Sequence, residues 1–110
     1  MANTFKVKTK LNTGVSSGIS TLYTVPSSTT AVLVGLTLAN TSANAITATV
    51  TLTNNDGDNV TLLKDAPIPT GSSLEMMSGN KIVMEASDIL KAYSRAANTL
   101  DCTLSLMEIT

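Results

Sequence analysis

The chain holds one cysteine, no histidine and no tryptophan in 110 residues. A lone Cys102 excludes an internal disulfide, and without histidine the common zinc sets of Cys and His cannot be assembled. Acid–base and nucleophilic chemistry is thereby narrowed to carboxylates, Lys, Tyr and Cys. No base beside a nucleophile, no metal cluster and no phosphate-cradling glycine loop stands out, so no catalytic residue, cofactor or metal is expected. Aromatic residues are as scarce, at 3%: Phe5, Tyr23 and Tyr93. Three rings are too few for a stacking platform for sugars or single-stranded nucleic acid, and a glycan-receptor role has no support. Charged residues make up 14% of the chain, against about 25% in ordinary domains, and the net charge is -1. There is no basic excess to grip nucleic acid or an anionic membrane, so neither is an expected partner.

Long apolar runs are missing too: none approaches the ~20 residues needed to span a bilayer. The opening segment, Met1 to Lys6, lacks the charged-then-apolar layout of a signal peptide, which points to folding in a reducing cytoplasm. The length fits a single domain over 1–110, burying roughly 65% of the surface that the unfolded chain exposes.

What fills the chain is Thr, Val, Ile and Leu in short runs of period two, closed by Gly, Pro, Asn or Ser. Phe5, Val7, Thr9 and Leu11 alternate with Lys6, Lys8 and Lys10, predicting a strand with the first set buried and the lysines solvated. Residues 1–12 read as an N-terminal arm or edge strand. A Gly/Ser-rich stretch from Thr13 to Ser20 interrupts the order, and Leu22 to Val25 resumes it. Ala31 to Ala39 is apolar on both faces, the mark of a central strand.

Ile46, Ala48, Val50 and Leu52 alternate with Thr47, Thr49, Thr51 and Thr53, the threonines reading as a solvated hydroxyl face. Asn54 to Asp58 turns the chain, with Asp56-Gly57 as a hairpin cue, before Val60 to Leu63. Pro67 and Pro69 predict a loop or crossover from Ala66 to Gly71. Leu74 and Met76, then Ile82 to Met84, Leu90 with Ala92, and Leu100 to Leu106 continue the pattern, separated by turns at Ser78 to Asn80, Glu85 to Asp88 and Ala97 to Thr99. About eight to nine short strands with no helical periodicity predict an all-β, jelly-roll-like antiparallel β-sandwich.

Most candidate sites have a plain structural reading beside them. Cys102 is in register with Leu100, Leu104 and Leu106 and reads as a small buried hydrophobe. Asn54, Asp56, Asp58 and Asp65 space oxygen ligands as a calcium loop does, yet Asn59 stands where such a loop needs glycine, so the segment reads as a hairpin turn. Lys6, Lys8 and Lys10 guard an edge strand against unwanted pairing, or meet an acidic surface or phosphates. The residues expected to carry contacts are Phe5, Lys6, Lys8 and Lys10 of the arm, Pro67, Ile68 and Pro69 of the loop, and the second face of Ala31 to Ala39.

Leu22-Tyr23-Thr24-Val25-Pro26-Ser27-Ser28-Thr29-Thr30-Ala31, followed by the apolar strand and Ala39-Asn40-Thr41-Ser42, resembles small virion structural proteins of tailed bacteriophages, especially those of marine bacteria and cyanobacteria. The run from Ser78 to Lys91 and the ending Leu104 to Ile109 add to the resemblance, which spans nearly the whole chain. Ser87 stands where glycine is expected in a Glu-Ala-Gly-Asp turn. The resemblance implies a β-sandwich subunit of the virion, made in the bacterial host cytoplasm and present in many symmetric copies. Its leading form is a capsid decoration or cement protein that binds the major capsid protein and stabilises the head shell. The alternative is a tail, neck or fibre-associated subunit, receptor-binding modules included. A homo-oligomer such as a trimer is the expected state, with a monomer held by its partner as the other reading.

Overall fold

The computed structural model describes residues 3–13, 20–77, 81–95 and 99–110, with the side chains of 10–13 and 20 outside that description. The turns expected at Ser78 to Asn80 and through Ala97 and Asn98, most of the Gly/Ser-rich break, and the Lys10 and Leu11 side chains lie outside the described residues. Those described form nine strands: β1 (Asn3–Thr13), β2 (Ser20–Thr24), β3 (Thr30–Asn40), β4 (Ile46–Thr53), β5 (Asn59–Ile68), β6 (Ser73–Glu75), β7 (Ile82–Met84), β8 (Ile89–Ser94) and β9 (Leu100–Ile109).

Two antiparallel sheets stack face to face. One runs β1-β9-β3-β6, with β7 also pairing β3; the other runs β2-β8-β4-β5. The pairings are nested: first strand with last, second with eighth, third with sixth and seventh, fourth with fifth. That is a long hairpin rolled into a sandwich, the jelly roll, with β6 and β7 sharing one strand position. Leu33, Leu36, Leu38, Leu90, Leu100, Leu104 and Leu106, all at most 1% exposed, fill the space between the sheets with Val50 and Met84. Cys102 is buried among them and faces Leu38 across the ladder.

The central strand resolves a conflict in its own sequence. Ala31 and Leu33 are odd-numbered core residues and Leu36 and Leu38 even-numbered ones, so a regular strand would turn one pair outward. A bulge between Leu33 and Gly35 absorbs the extra residue, and Glu75 serves the disturbed backbone by accepting the Leu36 amide at 3.0 Å. The β4–β5 hairpin follows the expected turn: Gly57 has φ 93°, and Asn54 Oδ1 accepts the amides of Asp56 and Asp58.

Three expectations are corrected. The expected burial in β1 fails: Phe5, Val7 and Thr9 are exposed, as are Lys6 and Lys8, and it is the lysines that stand opposite Leu106 and Leu104, on the side of the sheet that faces the core. Alternation separates two faces without saying which is inner, and an edge strand is incompletely covered on both. Pro67 and Ile68 belong to β5 instead of a loop, and the crossover between sheets shortens to Pro69–Ser72. Pro67 is tolerated because β5 is an edge strand, and Ile68, at 1% exposure, is a core residue that cannot carry a surface contact. Thr49 and Thr51 are buried, since they lie opposite the larger Tyr93 and Lys91 on the outer face of the second sheet.

The β7–β8 turn accommodates a serine at a left-handed position. Ser87 has φ 73°, a left-handed conformation that costs a non-glycine residue about 1–2 kcal/mol. The turn tolerates it because Ser87 donates its amide to Val25 at 3.0 Å, and the Asp88 carboxylate accepts the amides of Glu85 at 2.9 Å and Asn55 at 3.1 Å. Ser87→Gly is expected to stabilise the fold by about 0.5–1 kcal/mol, the relief being partly offset by a freer unfolded chain, and a urea midpoint measurement checks it.

Candidate interaction surface

Across the β1-β9-β3-β7 part of the first sheet, register places Phe5 beside Met107, Met107 beside Val32, and Val32 beside Val83. None of the four points to the core, which is lined from the same strands by Leu33, Met84, Leu104 and Leu106. The result is an apolar row crossing four strands on the outer face of the sandwich. Phe5 is 77% exposed, Val83 62%, and Val7 and Val34 beside the row 60% and 43%. Phe5, Val7, Val34 and Ser105 are among the residues lining a shallow cleft of about 280 Å³. Away from the row, the same face carries Thr9, Thr103, Thr37, Asp101 and Glu75, with Glu75 fixed by the Thr37 hydroxyl at 2.7 Å.

The opposite side of β1 has a different chemistry. Glu108, on β9, is buried at 5% exposure near the β1/β2 edge of the sandwich. Its carboxylate accepts the Tyr23 hydroxyl of β2 at 2.5 Å and pairs with Lys6 Nζ of β1 at 3.0 Å, tying the two sheets together at that edge. The Tyr23 hydrogen bond, followed by that from Lys6, holds the Glu108 carboxyl below the usual carboxylate range against the opposing effect of burial. Burial in turn, reinforced by the Glu108 carboxylate, pushes the Tyr23 phenol well above its ordinary value. Lys8 is exposed and adds positive potential at Glu108.

The predicted contact residues therefore do not form one patch. Phe5 joins the outer apolar row, and Lys6 and Lys8 project from the other side of the same strand. Pro67, in the far edge strand of the second sheet, borders a separate cleft of about 320 Å³ with Ile46 and Arg95. Pro69 is an exposed turn residue whose carbonyl accepts the Ser72 amide. Asp65 is held by Arg95 through two hydrogen bonds of 2.8 Å, which lower its pKa, and so stands apart from the hairpin carboxylates. Among the described residues no group of three or more His, Cys, Asp or Glu side chains is placed to hold a metal.

Val32 and Val34 belong to the second face of Ala31 to Ala39 that the sequence singled out, whereas Val83 and Met107 were missed by sequence reasoning, although for Val83 one signal was available. Ile82-Val83-Met84 is an apolar triplet in a three-residue strand, so its middle member must face away from the other two.

No protein family and no curated protein matches the chain. Among solved structures, it is similar to a chain in the structure of infectious bursal disease virus Gx strain, with 14% identity and a TM-score of 0.46 over 97% of this chain and 31% of that one. It is also similar to a chain in the structure of the Gt strain of that virus, with 12% identity and a TM-score of 0.45 over 96% of this chain and 32% of that one. The chain spans about a third of the length of each.

Proposed function

We propose that this chain is a structural protein of a virion, and specifically a decoration or cement protein bound to the head shell of a tailed bacteriophage. The observation that carries the reading is the row Phe5, Met107, Val32 and Val83, an apolar stripe laid across a rigid sheet face. Water-exposed apolar surface of this continuity is costly unless a partner covers it, and a pleated face held by hydrogen bonds on several strands presents it with little ordering cost on binding. The chain's low charge and its resemblance to small phage virion proteins support the same reading.

The mechanism is mass action. A subunit that binds the assembled shell and not its free parts shifts the equilibrium toward the shell, and many copies, as a trimer or other closed oligomer, act together even where each contact is weak. The major capsid protein is the partner this reading names. Gold-labelled antibody against the chain, viewed on intact purified phage particles by electron microscopy, tests it. Label over the head is the expected result. Label confined to the tail or its tip replaces decoration with a tail, neck or fibre-associated role, and no label on particles overturns the exposed-virion reading.

A further inference from the structure

The strand that ends the apolar row is also the edge of its sheet. β1 is eleven residues long, and among the described residues its partner strand is β9 alone, on one side. An edge of that length is a template for a further strand, and its two faces state what that strand must carry. On the outer face Phe5 and Val7 bring the apolar row up to the edge, where it stops with both side chains exposed. On the inner face Lys6 and Lys8 stand two residues apart. Lys6 is engaged by Glu108, whereas Lys8 is exposed and has no ion pair among the described residues, so two cations share one carboxylate.

A second copy of β1 fits this edge badly. Any register that sets the apolar faces of two β1 strands side by side also sets lysine face against lysine face, because the side-chain period is two, and like charges on adjacent strands repel. The described strands of this chain offer no alternative, since none carries acidic residues at alternate positions.

We infer that the free edge of β1 receives an extended segment of another protein in which Asp or Glu alternates with apolar residues. Its acidic side chains lie beside Lys6 and Lys8, and its apolar ones prolong the row from Phe5 and Val7. Backbone hydrogen bonds supply affinity, and the alternation supplies register and choice of partner. The inference goes beyond the virion reading and stands independently of it, since it specifies a strand chemistry and no assembly.

The test uses the whole chain and a synthetic peptide of about ten residues, a usual strand length, alternating Glu with Val and Ile. Nuclear magnetic resonance titration is expected to shift the amides of β1 and slow their hydrogen exchange. A peptide with Lys in place of Glu should bind about tenfold more weakly or worse, and Lys8→Glu should reverse that preference. Lys8 is chosen because it is exposed and leaves the Lys6 to Glu108 pair in place, and an unchanged thermal midpoint confirms the variant's fold. Equal binding of the Glu and Lys peptides, equal binding of a shuffled peptide of the same composition, or shifts confined to other strands each overturn the inference. So does stronger binding of a single-stranded oligonucleotide at β1, which would make the lysines a phosphate contact.

Discussion

Replacing Glu108 with alanine is expected to lower the free energy of unfolding by about 2–4 kcal/mol, because the substitution strands a buried hydroxyl and releases a charge pair in one step. Tyr23 donates to this carboxylate and Lys6 pairs with it, so the variant loses the link between the two sheets at the β1/β2 edge. Glu108→Gln keeps the shape and an acceptor and should cost less. The sign with pH follows from the pKa shifts. The Glu108 carboxyl lies below its unfolded value, so its contribution is fully present above pH ~4.3 and is lost as the pH falls through the folded pKa. The Tyr23 phenol lies above its unfolded value, so its contribution is present below pH ~10 and is lost as the pH rises beyond that. Denaturant unfolding of wild type, Glu108→Gln and Tyr23→Phe at acid, neutral and alkaline pH separates the two limbs. An acid limb for Glu108→Gln that parallels wild type would show that the carboxylate contributes nothing to it.

Asn40→Ala is the second substitution with a large expected effect, about 2–3 kcal/mol. Asn40 is 5% exposed at the end of β3, and its amide works in both directions. Nδ2 donates to the carbonyls of Asn44 at 2.8 Å and Ile68 at 3.0 Å, while Oδ1 accepts the Ser42 amide at 2.9 Å and hydroxyl at 2.8 Å. One side chain thus closes the β3–β4 turn and holds the end of β5 from the opposite sheet. Alanine leaves the buried Ile68 carbonyl without that donor. Asn40→Asp should cost more, since a carboxylate cannot donate and faces two carbonyl oxygens. Thr41→Ala, one residue along and exposed, serves as the control and should stay within about 0.5 kcal/mol. Urea unfolding of the three variants at neutral pH reads all of these differences.

The alternation in β9 shows how far local pattern reaches. Leu100, Cys102, Leu104 and Leu106 were legible as one buried face, and they are buried, because β9 lies between β1 and β3 and one of its faces is fully roofed by the second sheet. The same reasoning applied to β1 chose the wrong face. Phe5 and Val7 are more apolar than Lys6 and Lys8, yet the edge position leaves them in water, and the buried Glu108 draws Lys6 to the inner side. Pro67 misled in a related way: proline breaks an interior strand, and whether a strand is interior depends on its neighbours, which are distant in sequence.

What the chain's residues determined unaided are the properties that need no neighbour: the all-β class from period-two runs, the hairpin at Asp56-Gly57 and the burial of Cys102. Tertiary structure alone decided which face of an edge strand turns outward, that Thr49 and Thr51 are covered, and that Phe5, Met107, Val32 and Val83 stand in line. The division has one physical cause. Periodicity reports the geometry of a single strand, whereas exposure, charge pairing and surface continuity depend on register between strands many residues apart, and the rolled-hairpin topology sets that register only when the whole sandwich closes.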